Sequence, residues 1–368
     1  MELGLFMQPL HNPKRFTKTQ MIDQDREVAL YIDSLGFDEF FVGEHHSSDF
    51  QPITNPLVFL ASIIHDTKMK LGTGVINMPC HHPAQVASEV ALFDHMSKGR
   101  FIMGIGPGGT PTDAEVYGAR GKNHNEMLGE SIDMIHKIWS SDPPYHLEGK
   151  YWNFQIDESV NMQVGYGPIL KPYQQPYPPI FSSILSPNSR SAFVAGERLW
   201  SIMSANFAQG ACIKTHWDQY ALGCENAGRR ADRKYWRIAR DILVADTDSA
   251  ASAYLAEPDN SYRYYYQFVS DALKSFNGTA VLKANKDLSD EDVTSQYCLD
   301  TMVLSGSPKT VLDKLIDFVD LMGGPFGALT LCFKEWEKPQ IHKRSMRLLA
   351  EDVMPKLRTY CVQTVAAE

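Results

Sequence analysis

The sequence predicts an α/β chain whose parallel strands close into a (β/α)8 barrel, with insertions at the C-terminal face. Three observations lead there. Strand-like and helix-like segments alternate from the first residues onward. The connections between them are short. The strand-like segments come to about eight over a chain of 368 residues, a length that such barrels commonly reach as one domain. An open doubly wound sheet would use the same alternation and is the alternative arrangement of these elements.

Leu3–Met7 is a short apolar run and the first buried strand. Val28, Ile32 and Leu35 then share a helix face, and Gly36 stops that helix. Glu39–Val42 is the second strand, Asn55–His65 the second helix and Met69–Val75 the third strand. Pro83 opens a third helix where a missing N–H is harmless; Val86, Val90 and Phe93 form its stripe and Gly99 closes it. Phe101–Ile105 is the fourth strand, followed by a helix from about Glu126 to Trp139. Ser140–Pro179, rich in Pro, Tyr and Gly, reads as irregular. Strands resume at Ile180–Ile184, Leu199–Met203, Arg237–Val244 and Gly327–Phe333, the last between helices Pro308–Leu321 and Glu335–Leu357. Asp246–Leu304 fits no simple βα unit, and its aromatic run Tyr262–Phe268 suits either a lid over the barrel mouth or a surface helix pair. The expected organisation is one domain, 1–368, of the TIM-barrel type, with insertions at about 140–179 and 246–304.

Charge and cysteines exclude several classes. The net charge of -9 lacks the concentrated Lys and Arg that nucleic acid or an anionic membrane surface requires. Six cysteines are scattered without a CxxC pair, so reduced thiols and a cytoplasmic location are expected. The N-terminus has no basic region before its short apolar stretch, and no apolar run is long enough to span a bilayer.

Glu44-His45-His46 follows the second strand directly. In a barrel that position faces the chemistry, and a histidine there handles protons near neutral pH; equally, it serves as a structural histidine bonded to a carboxylate. No metal site is expected: neighbours on a strand point to opposite faces, so His45 and His46 do not share an ion, and no HxxxH or HExxH spacing occurs. Gly72-Thr73-Gly74-Val75 ends the third strand with bare backbone that a planar ligand can approach, or that merely turns. Gly104-Ile105-Gly106-Pro107-Gly108-Gly109 matches GxGxxG, but Pro107 and Pro111 interrupt the helix a dinucleotide fingerprint needs, and Thr110–Gly118 shows no helical stripe. A glycine-rich active-site loop is the better reading. Ser182–Arg190 follows the fifth strand and opens a helix, with Pro187 in its first turn. Backbone N–H groups there, with Ser186, Ser189 and Arg190, suit an anion; the plainer reading has Ser186 only capping the helix.

In this order the pieces resemble the bacterial-luciferase-like flavin-dependent monooxygenases. The resemblance is densest over residues 1–152, in GFDEFFVGEHH, LGTGVINMPCHHPAQVASEVALFDHMSKGRFIMGIGPG and HLEGKYWNF. It resumes at PPIFSSILSPNSR, at LSGSPKTVLDKLIDF and at EDVMPKL, and is faint between about Asn206 and Tyr297. It implies the barrel, a homodimer, and reduced FMN (FMNH2) supplied by a separate NAD(P)H:flavin reductase. It further implies that O2 adds to the flavin and the resulting peroxyflavin oxidises a small apolar organic substrate. By the same resemblance His45 is the acid/base or peroxide-steadying histidine, Gly74–Val75 is a non-proline cis peptide under the flavin ring, and Leu185, Ser186 and Ser189 hold the phosphate.

The chain departs from the family pattern in places. Gly106 and Pro107 stand where luciferases carry a reactive cysteine and an arginine, and Glu126 stands near a phosphate-binding arginine. Light emission is therefore not implied, and Arg190 or His124 is the substitute phosphate cation to examine. Two rivals share the resemblance: a deazaflavin-dependent dehydrogenase working by hydride transfer, and a non-enzymatic flavin-binding protein.

Overall fold

The protein is described by a computed structural model over residues 1–8, 10–275 and 277–367. Its strands are β1 (Glu2–Met7), β2 (Glu39–Val42), β3 (Lys70–Thr73), β4 (Ile76–Asn77), β5 (Phe101–Gly106), β6 (Tyr145–Glu148), β7 (Asn153–Ile156), β8 (Ile180–Ile184), β9 (Ser201–Ser204), β10 (Trp236–Val244), β11 (Val303–Gly306) and β12 (Ala328–Phe333). The order β12, β1, β2, β3, β5, β8, β9, β10 returns to β12, closing the predicted (β/α)8 TIM barrel. The eight strands close on themselves, so the open doubly wound arrangement falls.

The helices are α1 (Lys18–Ser34), α2 (Pro56–Ala61), α3 (Pro83–Ser97), α4 (Pro111–Val116), α5 (His124–Ser140), α6 (Arg190–Arg198), α7 (Gly210–Asn226), α8 (Asp248–Ala256), α9 (Ser261–Ser275), α10 (Ser295–Met302), α11 (Pro308–Leu321), α12 (Pro339–Leu348) and α13 (Met354–Ala367). None is long and apolar enough to cross a membrane. The chain divides into two compact units, residues 42–180 and residues 1–41 with 181–368.

In the unit 42–180, β3 stops at Thr73 and the short β4 continues beyond a cis peptide between Gly74 and Val75. The strand expected over Met69–Val75 is thus shorter, ending at Thr73, and the separate β4 beyond it pairs with the end of β5, Asn77 opposite Gly106. The second helix ends at Ala61, sooner than His65, and its N-cap is Asn55, whose side chain accepts the Val58 N–H. A short helix, α4, occupies Pro111–Val116, where a loop was expected. Its apolar contribution is Ala114, which joins Ala119 and Met127 in a small cluster that Tyr151 and Trp152 cover. With so few apolar residues there is no sequence stripe to read. The supposedly irregular Ser140–Pro179 segment contains the antiparallel pair β6–β7.

In the unit 1–41 with 181–368, β1 and β10 flank β12 in parallel register. Thr17 and Gln20 form a capping box that starts α1, and Met21, Val28 and Ile32 face inward. Arg237 on β10 makes a forked pair with Glu39 on β2, both hydrogen bonds at 2.7 Å; the carboxylate is fully buried, so the pair keeps two charges matched inside the barrel wall. The 246–304 segment holds α8, α9 and α10, and then β11, a strand absent from the sequence reading, pairs outside the barrel on β10. The aromatic run on α9 is core: Tyr262, Tyr265 and Tyr266 are buried, and Tyr262 donates its hydroxyl to the Ile242 carbonyl on β10.

Candidate active site

Five of the site residues singled out by sequence, His45, Gly74, Val75, Gly106 and His124, lie in the unit 42–180. Glu44, His45 and His46 leave the end of β2. The half-buried His45 ring places Nδ1 3.3 Å from the hydroxyl of Thr110, the N-cap residue of α4, and Nε2 has no protein partner among the described residues. Burial lowers the His45 pKa and the nearby Asp113 and Glu44 carboxylates only partly oppose it. Asp113 on α4 accepts the backbone N–H groups of His46 and Ser47 at 3.2 and 2.8 Å, clamping the segment that carries His45. Gly74–Val75 and Gly106 stand at the ends of neighbouring strands, as the register of β4 on β5 requires.

His124 opens α5, and its Nε2 lies 3.0 Å from the Ala119 carbonyl. It borders a cavity of about 310 Å³ whose wall also includes Gly108, Gly109, Thr110, Arg120 and Lys122. Glu126, suspected of repelling phosphate, is matched by the Lys150 ammonium at 2.7 Å and the Tyr151 hydroxyl at 2.8 Å. Hydrogen bonding to Lys150 holds its carboxyl below the usual range.

Glu44 does something the sequence reading missed. Its Oε1 meets Nε2 of both His46, at 2.6 Å, and His81, while its Oε2 accepts the Asn77 N–H at 2.8 Å. Burial would raise this carboxyl, but the bonds from His46 and His81 overcome that and hold it low. The Glu44 carboxylate in turn raises His46.

The other four residues lie in the unit 1–41 with 181–368. Leu185 and Ser186 follow β8, and the helix starts later than expected: Ser189, rather than Ser186, is the N-cap of α6. The Ser189 hydroxyl makes no capping bond, so the first N–H groups of α6 remain for a ligand. Arg190 is exposed and its guanidinium stacks on Phe193 of the same helix, 4.3 Å from the ring centre. Beneath this turn the buried His216 of α7 has Nδ1 2.9 Å from the Ser204 hydroxyl, and burial lowers its pKa to about 4. Cys212, one turn earlier on the same helix, donates its thiol to the Leu185 carbonyl at 3.4 Å. A second buried cluster joins strand ends that the sequence reading passed over: Asn206 beyond β9, Asp241 on β10 and Lys334 just past β12, with Tyr265 and Tyr266 from α9. Asp241 sits within β10 and Lys334 lies just past β12, far apart in the chain, and nothing local in the sequence joins them.

A family description, luciferase-like monooxygenase, matches residues 1–323. The chain belongs to the luciferase-like monooxygenase family. Among its relatives, the 3,6-diketocamphane 1,6-monooxygenase of Pseudomonas putida is 28% identical over 376 residues, covering 97% of this chain and 98% of that one. A solved structure described as a type II Baeyer–Villiger monooxygenase, the oxygenating constituent of 3,6-diketocamphane monooxygenase from P. putida in complex with FMN, is similar at TM-score 0.86 and 28% identity, over 97% of this chain and 98% of that chain. More distant is the oxygenase component of flavin-dependent trigonelline monooxygenase from Acinetobacter baylyi, 24% identical over 318 residues, 86% of this chain and 85% of that one. Family membership agrees with the barrel and with site-like residues gathered at strand ends, where barrel enzymes carry their chemistry.

Proposed function

We propose that this luciferase-like monooxygenase is the oxygenase of a two-component system. It takes FMNH2 from a separate NAD(P)H:flavin reductase and oxidises a small apolar organic substrate with O2. The observation that carries this reading is the similarity, over nearly the whole of both chains, to a monooxygenase structure in complex with FMN. The name of the trigonelline relative, an oxygenase component, favours a separate reductase.

The residues present suit the cofactor. The Ser186–Ser189 turn offers two hydroxyls and the open N–H groups of α6 to a phosphate. In the unit 42–180, Arg120 and Lys122 bring two cations to the wall of the cavity of about 310 Å³ that His124 borders. Gly74 and Gly106 leave backbone bare for a flat ring. When bound, reduced FMN supplies the two electrons that let one atom of dioxygen enter the substrate and the other leave as water. The protein's part is to bind, orient and keep water out. His45, pinned through Nδ1 by Thr110, holds or passes a proton at Nε2. A second copy of the chain would cover Leu92 and Met96, which α3 exposes one turn apart.

Oxygen uptake with FMNH2 and a flavin reductase, across terpenes, cyclic ketones and long aldehydes, tests the reading. Cyclic ketones come first, because the diketocamphane relative is described as a Baeyer–Villiger enzyme. Labelled dioxygen should place one labelled atom in the product. His45→Ala should lose most product formation with the fold intact. A chain that ignores FMNH2 in titration, or that oxidises a substrate with deazaflavin and without oxygen, overturns it.

A further inference from the structure

Glu44, His46 and His81 direct three ligand atoms at one point, all within 4.8 Å of one another. His45 lies between the first two in sequence yet turns to Thr110, so it is no part of the group. His81 arrives from the far side, just after the turn Met78–Cys80.

Two of the three donors, Glu44 and His46, are held from behind. The Glu44 carboxylate has no solvent exposure, and Asn77 fixes it through its own N–H at 2.8 Å and through its side-chain amide, which donates to the Glu44 carbonyl at 3.0 Å. The Tyr117 hydroxyl lies 3.0 Å from Nδ1 of His46, the ring nitrogen that does not face Glu44. Metal-binding imidazoles and carboxylates are braced in this way at the atoms not used for the metal. Beside the group, a cavity of about 10 Å³ is lined by Glu44, His81 and a second carboxylate, Glu89. That is room for one water molecule or one ion, and too little for an organic ligand. The buried Glu44 carboxylate beside two imidazole nitrogens, with Glu89 across the cavity, is a donor set that a divalent cation fits.

We propose that Glu44, His46 and His81 form a binding site for a divalent metal of the zinc class. Two nitrogen donors and one carboxylate select zinc over magnesium or calcium and leave a fourth position for water. The site is structural. It ties the end of β2 to the turn after β4 and, through Tyr117, to α4, and so fixes the backbone that presents His45. The expectation of no metal rests on His45 and His46 pointing apart and on the missing HxxxH and HExxH spacings; Glu44 and His46, two apart, together with the distant His81 fall outside both patterns.

The test uses the full-length chain, stripped with a chelator and titrated with Co²⁺ and then Zn²⁺. One Co²⁺ per chain, with visible d–d absorption that Zn²⁺ abolishes, is expected. His81→Ala and His46→Ala should weaken Zn²⁺ on the order of a hundredfold, and Tyr117→Phe by roughly tenfold. His146→Ala, at an exposed histidine paired with Asp157, should leave binding unchanged. Circular dichroism checks the variants, and His81→Gln replaces His81→Ala if the latter does not fold. A wild type without the cobalt band, or His81 variants that bind Zn²⁺ as tightly as wild type, overturns the proposal. FMN takes no part in these measurements, so their outcome is separate from that of the flavin reading.

Discussion

Thr215 on α7 accepts the backbone N–H of Asn188 at 2.9 Å, and Asn188 holds a left-handed φ of 51°. The Thr215 hydroxyl passes its own proton to the Cys212 carbonyl at 2.7 Å, so the bond is fixed in direction. This one contact shapes the turn between Ser186 and Ser189. Thr215→Val removes the acceptor and keeps the volume. A net hydrogen bond is worth about 0.5–1.5 kcal/mol, so FMN affinity should fall roughly three- to tenfold. Riboflavin, lacking the phosphate, should be nearly unaffected. Fluorescence-quenching titrations of both flavins decide it, and equal weakening would move the phosphate away from this turn.

His216 makes the same region sensitive to acid. Its folded pKa, about 4, lies below the ordinary value of 6.5 because burial disfavours the charged ring. Between those values the unfolded chain binds the proton and the folded one does not. Stability is therefore complete above pH 6.5 and is lost as pH falls toward 4. Wild type should show a falling Tm across that window. His216→Gln should show a flatter profile there, whatever its absolute Tm.

Glu337 acts in a lower window. Burial would raise it, but its ion pair with His342 at 2.8 Å, with the Tyr254 hydroxyl and the Ser261 N–H, brings its pKa to about 2. The depressed value means stability present above pH 4.5 and lost as pH falls through about 2. Glu337→Gln should lower stability at pH 7 by a few kcal/mol and remove the acid step below pH 4.5, as urea titrations at several pH values will show.

Thr110 tests what holds His45. Thr110→Val leaves the imidazole in place but removes its oxygen partner at 3.3 Å. The contact is long and neutral, so product formation should fall only a few-fold, against the near-complete loss expected for His45→Ala. The split matters: if Thr110→Val is as damaging as His45→Ala, the threonine does more than orient the ring.

Much of the barrel was legible because β-strand runs such as Glu39–Val42 and Ile180–Ile184 are short, apolar and bounded, and the structure keeps those limits. What escaped notice had a physical reason. Helix α4 buries little beyond Ala114, so it has no stripe. Strand β11 is four residues with only its ends buried and pairs outside the barrel. His81 stands 37 residues from Glu44, and nothing local joins them. The Ser186–Ser189 turn was visible as Ser and Pro, while its support lies on α7, which a sequence window around residue 187 does not reach.

That support depends on two glycines. A Cβ on Gly196 of α6 would come 2.2 Å from the Tyr220 carbonyl oxygen of α7, and one on Gly223 of α7 would come 2.0 Å from the Phe193 carbonyl oxygen of α6. The helices meet backbone to backbone, and neither obstacle is a side chain that can swing away. Gly129, in α5, has nothing within 4 Å of such a Cβ. The same change should therefore have opposite signs. Gly129→Ala should stabilise by about 0.5–1 kcal/mol, the ordinary helix-propensity gain. Gly223→Ala must part α6 from α7 and should destabilise by about 1–3 kcal/mol despite that gain. Because α6 carries the Ser189 N-cap and α7 carries Thr215, the separated helices should also lose FMN affinity. Urea unfolding of both variants, with FMN titration of Gly223→Ala at a temperature where it is folded, measures this. A stabilised Gly223→Ala would mean that the two helices do not approach as closely as the glycines allow.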